Sequence, residues 1–173
     1  LERHSKERVP TIDIYTDGST KSRGRFETFG GWAFIAVRDN EKIYQASGSV
    51  FDTTNQRMEL FAACQGLLYA QSIRRKEEKV VIYSDSAYLT NCYLQEWYVK
   101  WQSNGWQNAN GKPVANVDLW LTLIPYFDHF WYNFKKVPGH ANNFWNILCD
   151  ELARNEAEKL KHNWRGIASE PTF

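Results

Sequence analysis

The hydrophobic positions of this chain change period along its length, and each change marks an element. From Thr11 to Thr16 apolar and polar residues alternate, with Ile12 and Ile14 on one face, which predicts a strand. Asp17-Gly18-Ser19 is a turn signal, so the strand is expected to stop there, with polar residues 20–29 as a loop. Gly31 to Val37 and Lys42 to Val50 predict two more strands around a turn at Asp39-Asn40. Connections this short favour an antiparallel meander.

Over residues 55–73 the period becomes helical, with Leu60, Cys64, Leu67 and Leu68 on one stripe and Asn55 placed to cap the start. Lys79 to Ser84 predicts a fourth strand ending at Asp85, and the strand–helix–strand order implies a parallel, right-handed crossover. Residues 87–100 and 117–124 read as helices, separated by the Gly/Asn-rich stretch 102–116, which cannot continue a helix. Phe130 to Val137 predicts a fifth strand, and residues 147–161 a last helix with Asn146 as its cap. Residues 1–10 read as a charged tail or linker, and residues 163–173 as a C-terminal tail without a pattern. The expected fold is one α/β domain over residues 11–162. Its five-stranded mixed sheet has three antiparallel strands, then two parallel, with helices packed on it and a handle-like insertion.

Composition narrows the class. The chain has 173 residues, enough for one compact core, and 43% are apolar, which argues against global disorder. Eight Trp and nine Tyr exceed what a core usually needs, so some are expected to face a ligand. The net charge of +1 argues neither for nor against nucleic acid. Three cysteines without a CxxC pair make a disulfide framework or a zinc site improbable and fit a reducing, cytoplasmic compartment, or a nucleus or organelle in a eukaryote. No apolar run approaches the ~20 residues of a membrane span. The one methionine is Met58, so Leu1 is expected to follow a cut, a tag or an upstream segment.

Four carboxylates then stand out. Asp17 and Asp85 each follow an apolar strand at its carboxyl end, where ligands bind in sheets of this kind. Glu59 lies in the first turns of the long helix, and Asp150 near the start of the last one, at its positive dipole end. Converging carboxylates suit a hard cation such as Mg²⁺. Each has a plainer reading when taken singly: a turn residue for Asp17, a helix cap for Asp85, and a favourable charge at a helix start for Glu59 and Asp150.

The local sequence around all four resembles one family. IYTDGS (14–19), TTNQRMEL (53–60), YSDS (83–86), GWQNANGKPVANVDLW (105–120), VPGHA (137–141) and NILCDELAR (146–154) resemble the segments of type 1 ribonuclease H, in the family's order and across nearly the whole chain. The resemblance implies that Asp17, Glu59, Asp85 and Asp150 bind two Mg²⁺ ions, with Mn²⁺ the alternative. Asp17 would bridge both, Asp150 would hold the ion that activates water, and Glu59 and Asp85 the ion at the leaving group. It implies hydrolysis of the RNA strand of an RNA–DNA hybrid, leaving 5′-phosphate and 3′-hydroxyl ends. His140 would be an auxiliary in proton transfer or product release. Asn55 and Gln56 would read the minor groove and its 2′-hydroxyl. Thr54 and Asn116 would form part of a phosphate pocket, and Trp101 and Trp106 would contact the DNA strand, with Trp97 divided between that role and the core. A monomer is expected.

The chain also departs from the commoner pattern. The first loop (TKSRGRFETFGG) lacks the usual glycine–asparagine–proline run, Asp52 stands where an arginine would serve the phosphate pocket, and Ala87 where a glutamine often contacts the minor groove. Gln102, Ser103 and Asn104 make the handle neutral, and Asn142-Asn143 replace the usual Gly-His. Weaker phosphate contacts are therefore expected. The rival readings are a resolvase or integrase of the same fold, a non-catalytic hybrid-binding module, and a domain cut from a reverse transcriptase or a longer ribonuclease H.

Overall fold

The computed structural model of the chain describes residues 8–137 and 143–165. Strands β1 (Thr11–Arg23), β2 (Glu27–Arg38) and β3 (Glu41–Phe51) come first, then helix α1 (Asn55–Ile73) and strand β4 (Lys79–Ser84). Helices α2 (Ala87–Gln95), α3 (Trp97–Ser103) and α4 (Val117–Leu123), strand β5 (Tyr132–Lys136) and helix α5 (Phe144–Asn163) complete the order. The sheet runs β3-β2-β1-β4-β5. β1 to β3 pair antiparallel, and β4 joins β1 and β5 in parallel. This is the mixed α/β sheet expected from the pattern.

Alternation along β1 sorts its side chains between two cores. Ile12 and Ile14 pack with α1, α2, α3 and α4 in the larger core, and Tyr15 joins Ala33, Ile35, Cys149 and Ala153 under α5. Helix α5 lies flush on β2 because Gly31 has no side chain: a Cβ there would come within 1.9 Å of the Ala153 carbonyl oxygen. All three cysteines are buried and free. No helix among the described residues is long and apolar enough to cross a membrane.

Five local expectations are corrected. β1 does not stop at Asp17-Gly18-Ser19 but continues to Arg23, since β2 keeps pairing with it from Asp17↔Ala33 to Arg23↔Glu27. Ladder pairing outweighs the turn preference of that tripeptide. Thr54, not Asn55, caps α1, its hydroxyl accepting from the Arg57 N–H at 3.1 Å. The preceding Thr53 is fixed in place by two bonds with the Thr28 hydroxyl, which leaves Thr54 as the last extended residue. The helix expected over 87–100 breaks at Glu96 (φ 55°, ψ 39°), and the break lets both Cys92 and Tyr98 face one core. Asn143, not Asn146, caps α5, accepting from the Trp145 and Asn146 N–H groups. β5 begins only at Tyr132, because Trp131 still belongs to the preceding turn.

One buried ion pair braces the α1–β4 connection. Glu78, 2% exposed, takes both nitrogens of the Arg38 fork at 2.9 Å and the Arg75 N–H at 3.1 Å. Burial pushes its pKa up, yet the Arg38 and Arg75 bonds outweigh this and leave it below the ordinary value. Glu78→Ala strands the Arg38 guanidinium, and a loss of about 3–5 kcal/mol is expected in urea denaturation. A loss under ~1 kcal/mol would show that Arg38 finds water instead.

Candidate active site

Parallel pairing of β1 with β4 ends at Tyr15↔Tyr83, whose rings stack at 5.0 Å. Asp17 and Asp85 each lie two residues further on, so the period of two returns both carboxylates to the face of that tyrosine pair. The Thr16 hydroxyl ties the strands together just there, donating to the Tyr83 carbonyl at 2.8 Å. On the opposite face, Gly18 admits the first turn of α1. A Cβ on Gly18 would stand 2.4 Å from the Glu59 nitrogen and from the Met58 carbonyl carbon. That approach brings Glu59 over the end of the sheet. One carboxylate oxygen each from Asp17, Glu59 and Asp85 lie within 4.8 Å of one another.

Each carboxylate is held. Asp17, 4% exposed, accepts from the Gly18 N–H at 2.8 Å. The Asn55 amide lies 3.4 Å from Glu59 Oε1, and the nearby Ser86 side chain favours its ionised form. Ser86 in turn caps α2 by accepting from the Leu89 N–H. Asp85 follows the end of β4 and is the most exposed of the three.

The cluster is electrostatically unsatisfied. Burial first, then the Asp85 charge, push Asp17 up to about 8. Burial pushes Glu59 up to about 7, with the Asp85 charge adding to it. Asp85 is raised by burial and by Asp150, against a lowering by Lys136. Oxygen donors that repel one another so strongly are the donor set a hard divalent cation fits. Asp150 stands at the margin of this group. Its charge adds to the rise of Asp17, while Arg154 Nε donates to its Oδ2 at 3.0 Å.

The other expected residues fall around this centre. Asn55 and Gln56 occupy the first turn of α1, both exposed, on the turn that carries Glu59. Thr54 and Asn116 are brought together by Arg57, whose backbone N–H bonds Thr54 and whose Nη1 bonds Asn116 Oδ1 at 3.2 Å. Arg57 also forks onto Asp118 at 3.0 and 2.7 Å. Asp52 sits in the left-handed region (φ 60°). Trp101 is 8% exposed and packs against Trp97, Trp106 and Trp120, so it is a core residue at the root of the insertion. Trp97, Trp101, Lys100 and Tyr88 line a groove of about 430 Å³ there, and Trp106 is half-buried beside it. His140 lies outside the described residues.

Two residues matter that pattern reading passed over. Gly18 sets the approach of α1, but in the sequence it only signalled a turn. Arg57 joins α1 to α4, and its one sequence signal was its place in RMEL.

The RNase H family model matches residues 10–158 of the chain. The ribonuclease H of Syntrophomonas wolfei is 41% identical over 150 residues, covering 86% of this chain and 97% of that protein. The ribonuclease H of Acetivibrio thermocellus is 39% identical over 148 residues, covering 86% and 95%. Among solved structures, a foamy viral protease-reverse transcriptase in complex with RNA/DNA hybrid superposes with a TM-score of 0.75 at 22% identity, over 87% of this chain and 20% of that one. The N-terminal RNase H domain of a Mycobacterium tuberculosis protein gives 0.66 at 17%, over 88% and 97%.

Proposed function

This chain belongs to the ribonuclease H family and is a ribonuclease H enzyme, and from that premise we propose that it hydrolyses the RNA strand of RNA–DNA hybrids at Asp17, Glu59, Asp85 and Asp150. The observation that carries the reading is the convergence of three carboxylates within 4.8 Å at the carboxyl ends of β1 and β4. Those four residues would hold two divalent ions, Mg²⁺ with Mn²⁺ the alternative, whose charge would stabilise the attacking and leaving oxygens of an in-line displacement leaving 5′-phosphate and 3′-hydroxyl ends.

The chain's own groups do the positioning. The Gly18 N–H orients the Asp17 carboxylate, and Asn55 orients Glu59. Asn55 and Gln56 amides both donate and accept, as recognition of a 2′-hydroxyl requires. The groove at the foot of the 102–116 insertion, with Trp101 and Trp106, receives the DNA strand, and Thr54 and Asn116 a phosphate. The protein works as a monomer, with residues 11–162 as its catalytic domain.

The test is a substrate panel: labelled RNA–DNA hybrid, RNA duplex, DNA duplex and single-stranded RNA, with and without Mg²⁺. Metal-dependent cleavage of the RNA strand of the hybrid alone is expected. Binding without cutting would leave a hybrid-binding module, and cutting of branched DNA a resolvase. Asp85→Asn is expected to abolish turnover and His140→Ala to slow it; equal, near-complete loss in both would remove the auxiliary role of His140.

Charge around the substrate groove is thin. Between Trp97 and Asn116 only Lys100 and Lys112 are charged, and Asp52 carries a negative charge. A shallow fall of affinity with salt follows, and a slope equivalent to about six or more phosphate charges would contradict it.

A further inference from the structure

The end of the sheet opposite the carboxylates carries a second concentration of chemistry. Here β1 and β4 begin, flanked by the α1–β4 connection and by the turn before β5. Phe130 projects from that turn, 70% exposed. Lys79 Nζ lies 4.8 Å from the centre of its ring, and Trp131 meets it edge-on at 4.9 Å. The Arg74 guanidinium covers the Trp131 ring at 4.7 Å. Two grooves flank Phe130 and share it and Lys79 as a common wall. One of about 410 Å³ is bounded by Val9, Pro10 and Trp131, and the other, about 320 Å³, by Tyr93, Phe127 and His129.

Arg8, Arg74, Arg75, Lys76 and Lys79 gather at this end, and none forms an ion pair among the described residues. Glu78 is buried on Arg38, Asp128 accepts from the Tyr98 hydroxyl, and Asp13 and Asp39 share a cleft with Arg8, which leaves Glu77. Arg74, Arg75, Lys76 and Lys79 thus outnumber Glu77 on the side of the exposed aromatic ring.

We propose that this end of the molecule, centred on Phe130 and Lys79, binds single-stranded nucleic acid. The chemistry of a single strand matches each part. An unstacked base can lie on an exposed ring and in the grooves beside it, while its phosphates meet the surrounding cations. A duplex keeps its bases stacked on one another and offers Phe130 no free face. An acidic peptide would satisfy the cations but leave the ring without a partner. Stacking reads no base edges, so binding is tolerant of sequence. β4 spans the distance between the two ends, roughly 20 Å for six residues. If the proposed cleavage holds, a single-stranded overhang could be gripped here while the adjoining hybrid lies at the carboxylates.

The experiment titrates the full chain into labelled 15-nucleotide oligo-dT and oligo-U, read by fluorescence anisotropy in EDTA. Phe130→Ser is expected to weaken binding about fivefold or more, and Lys79→Gln to lower the salt slope by about 0.7. Both side chains are outside the core, and unchanged melting temperatures check that. The two oligonucleotides distinguish DNA from RNA as the preferred strand. Cleavage of a blunt hybrid should be the same in both variants as in the parent. Loss of cleavage in the parent would defeat the proposed function and leave this site standing. Equal affinity of Phe130→Ser and the parent for both oligonucleotides would overturn the proposal. So would tighter binding of a glutamate-rich peptide, or a Phe130-dependent dimer in sedimentation.

Discussion

Asp17→Asn is expected to abolish cleavage, by about 10³-fold or more, and at the same time to stabilise the metal-free protein. The first effect removes an oxygen donor from the centre of the carboxylate group, equivalent to about 4 kcal/mol of barrier. The second follows from proton binding. In the folded chain the Asp17 carboxyl keeps its proton up to about pH 8, against an ordinary 3.8. Between those values the folded state binds the proton more tightly than the unfolded state, so stability falls as pH rises through the window. Below about pH 4 the cluster costs little, and above about 8 the whole penalty is present. Asn keeps the oxygen that accepts from the Gly18 N–H and carries no charge to desolvate. A gain on the order of 2 kcal/mol at pH 8 is expected, or about 4–8 °C in melting temperature for a chain of this size. Melts in EDTA at pH 5 and pH 8 measure it: the gain should shrink at pH 5. Added Mg²⁺ should raise the melting temperature of the parent more than that of the variant. A variant that melts lower than the parent at pH 8 would mean that Asp17 is satisfied without a cation.

The second large effect belongs to Gly18. Its absent side chain is what allows the backbone at Met58 and Glu59 to rest against β1, because a Cβ would stand 2.4 Å from two backbone atoms there. Backbone on both sides cannot yield as the tip of a flexible side chain would. Gly18→Val is therefore expected to push the start of α1 outward, with a loss of about 3 kcal/mol or more in stability from overpacking. Cleavage should fall further than stability alone explains, since Glu59 moves away from Asp17 and Asp85. Kinetics at a temperature where the variant is fully folded separate the two effects. Full activity in a folded variant would show that Glu59 need not approach so closely. Gly24, in the hairpin turn at φ 64°, meets nothing within 4 Å. Gly24→Asn is the control, expected to change activity little.

Much of the candidate site was legible because its residues sit at the ends of strongly patterned segments. β4 is built on the apolar run Val80 to Tyr83, so the position of Asp85 just after the strand could be read directly. The Asp17-Gly18-Ser19 tripeptide misled in a productive way. It was read as a strand end, whereas β1 runs on as far as Arg23. What ends near Asp17 is the pairing with β4, and that left the carboxylate where the reading had placed it. The caps were misplaced because Thr, Asn and neighbouring Asn residues are near-equivalent caps locally. The choice was made by remote contacts, such as those of Thr53 with Thr28. Trp101 shows the same limit from the other side: a Trp beside a Gly/Asn-rich insertion reads as an open ligand platform, and only packing on Trp97 and Trp120 reveals that it is largely buried and offers the groove no more than an edge.

By itself the sequence determined the element order and the mixed sheet, since periodicity and strand ends are local properties of the chain, and it singled out the four carboxylates only through the resemblance of the segments around them to ribonuclease H. Tertiary structure alone decided that Asp17 and Asp85 meet just beyond the last β1–β4 pair, that Gly18 admits Glu59 beside them, and that Arg154 bonds Asp150 at the margin. It also assembled the cations and Phe130 at the far end from segments more than a hundred residues apart. The physical reason is common to all of these. Close approach, shared burial and summed charge are properties of pairs of segments, and no single segment encodes them.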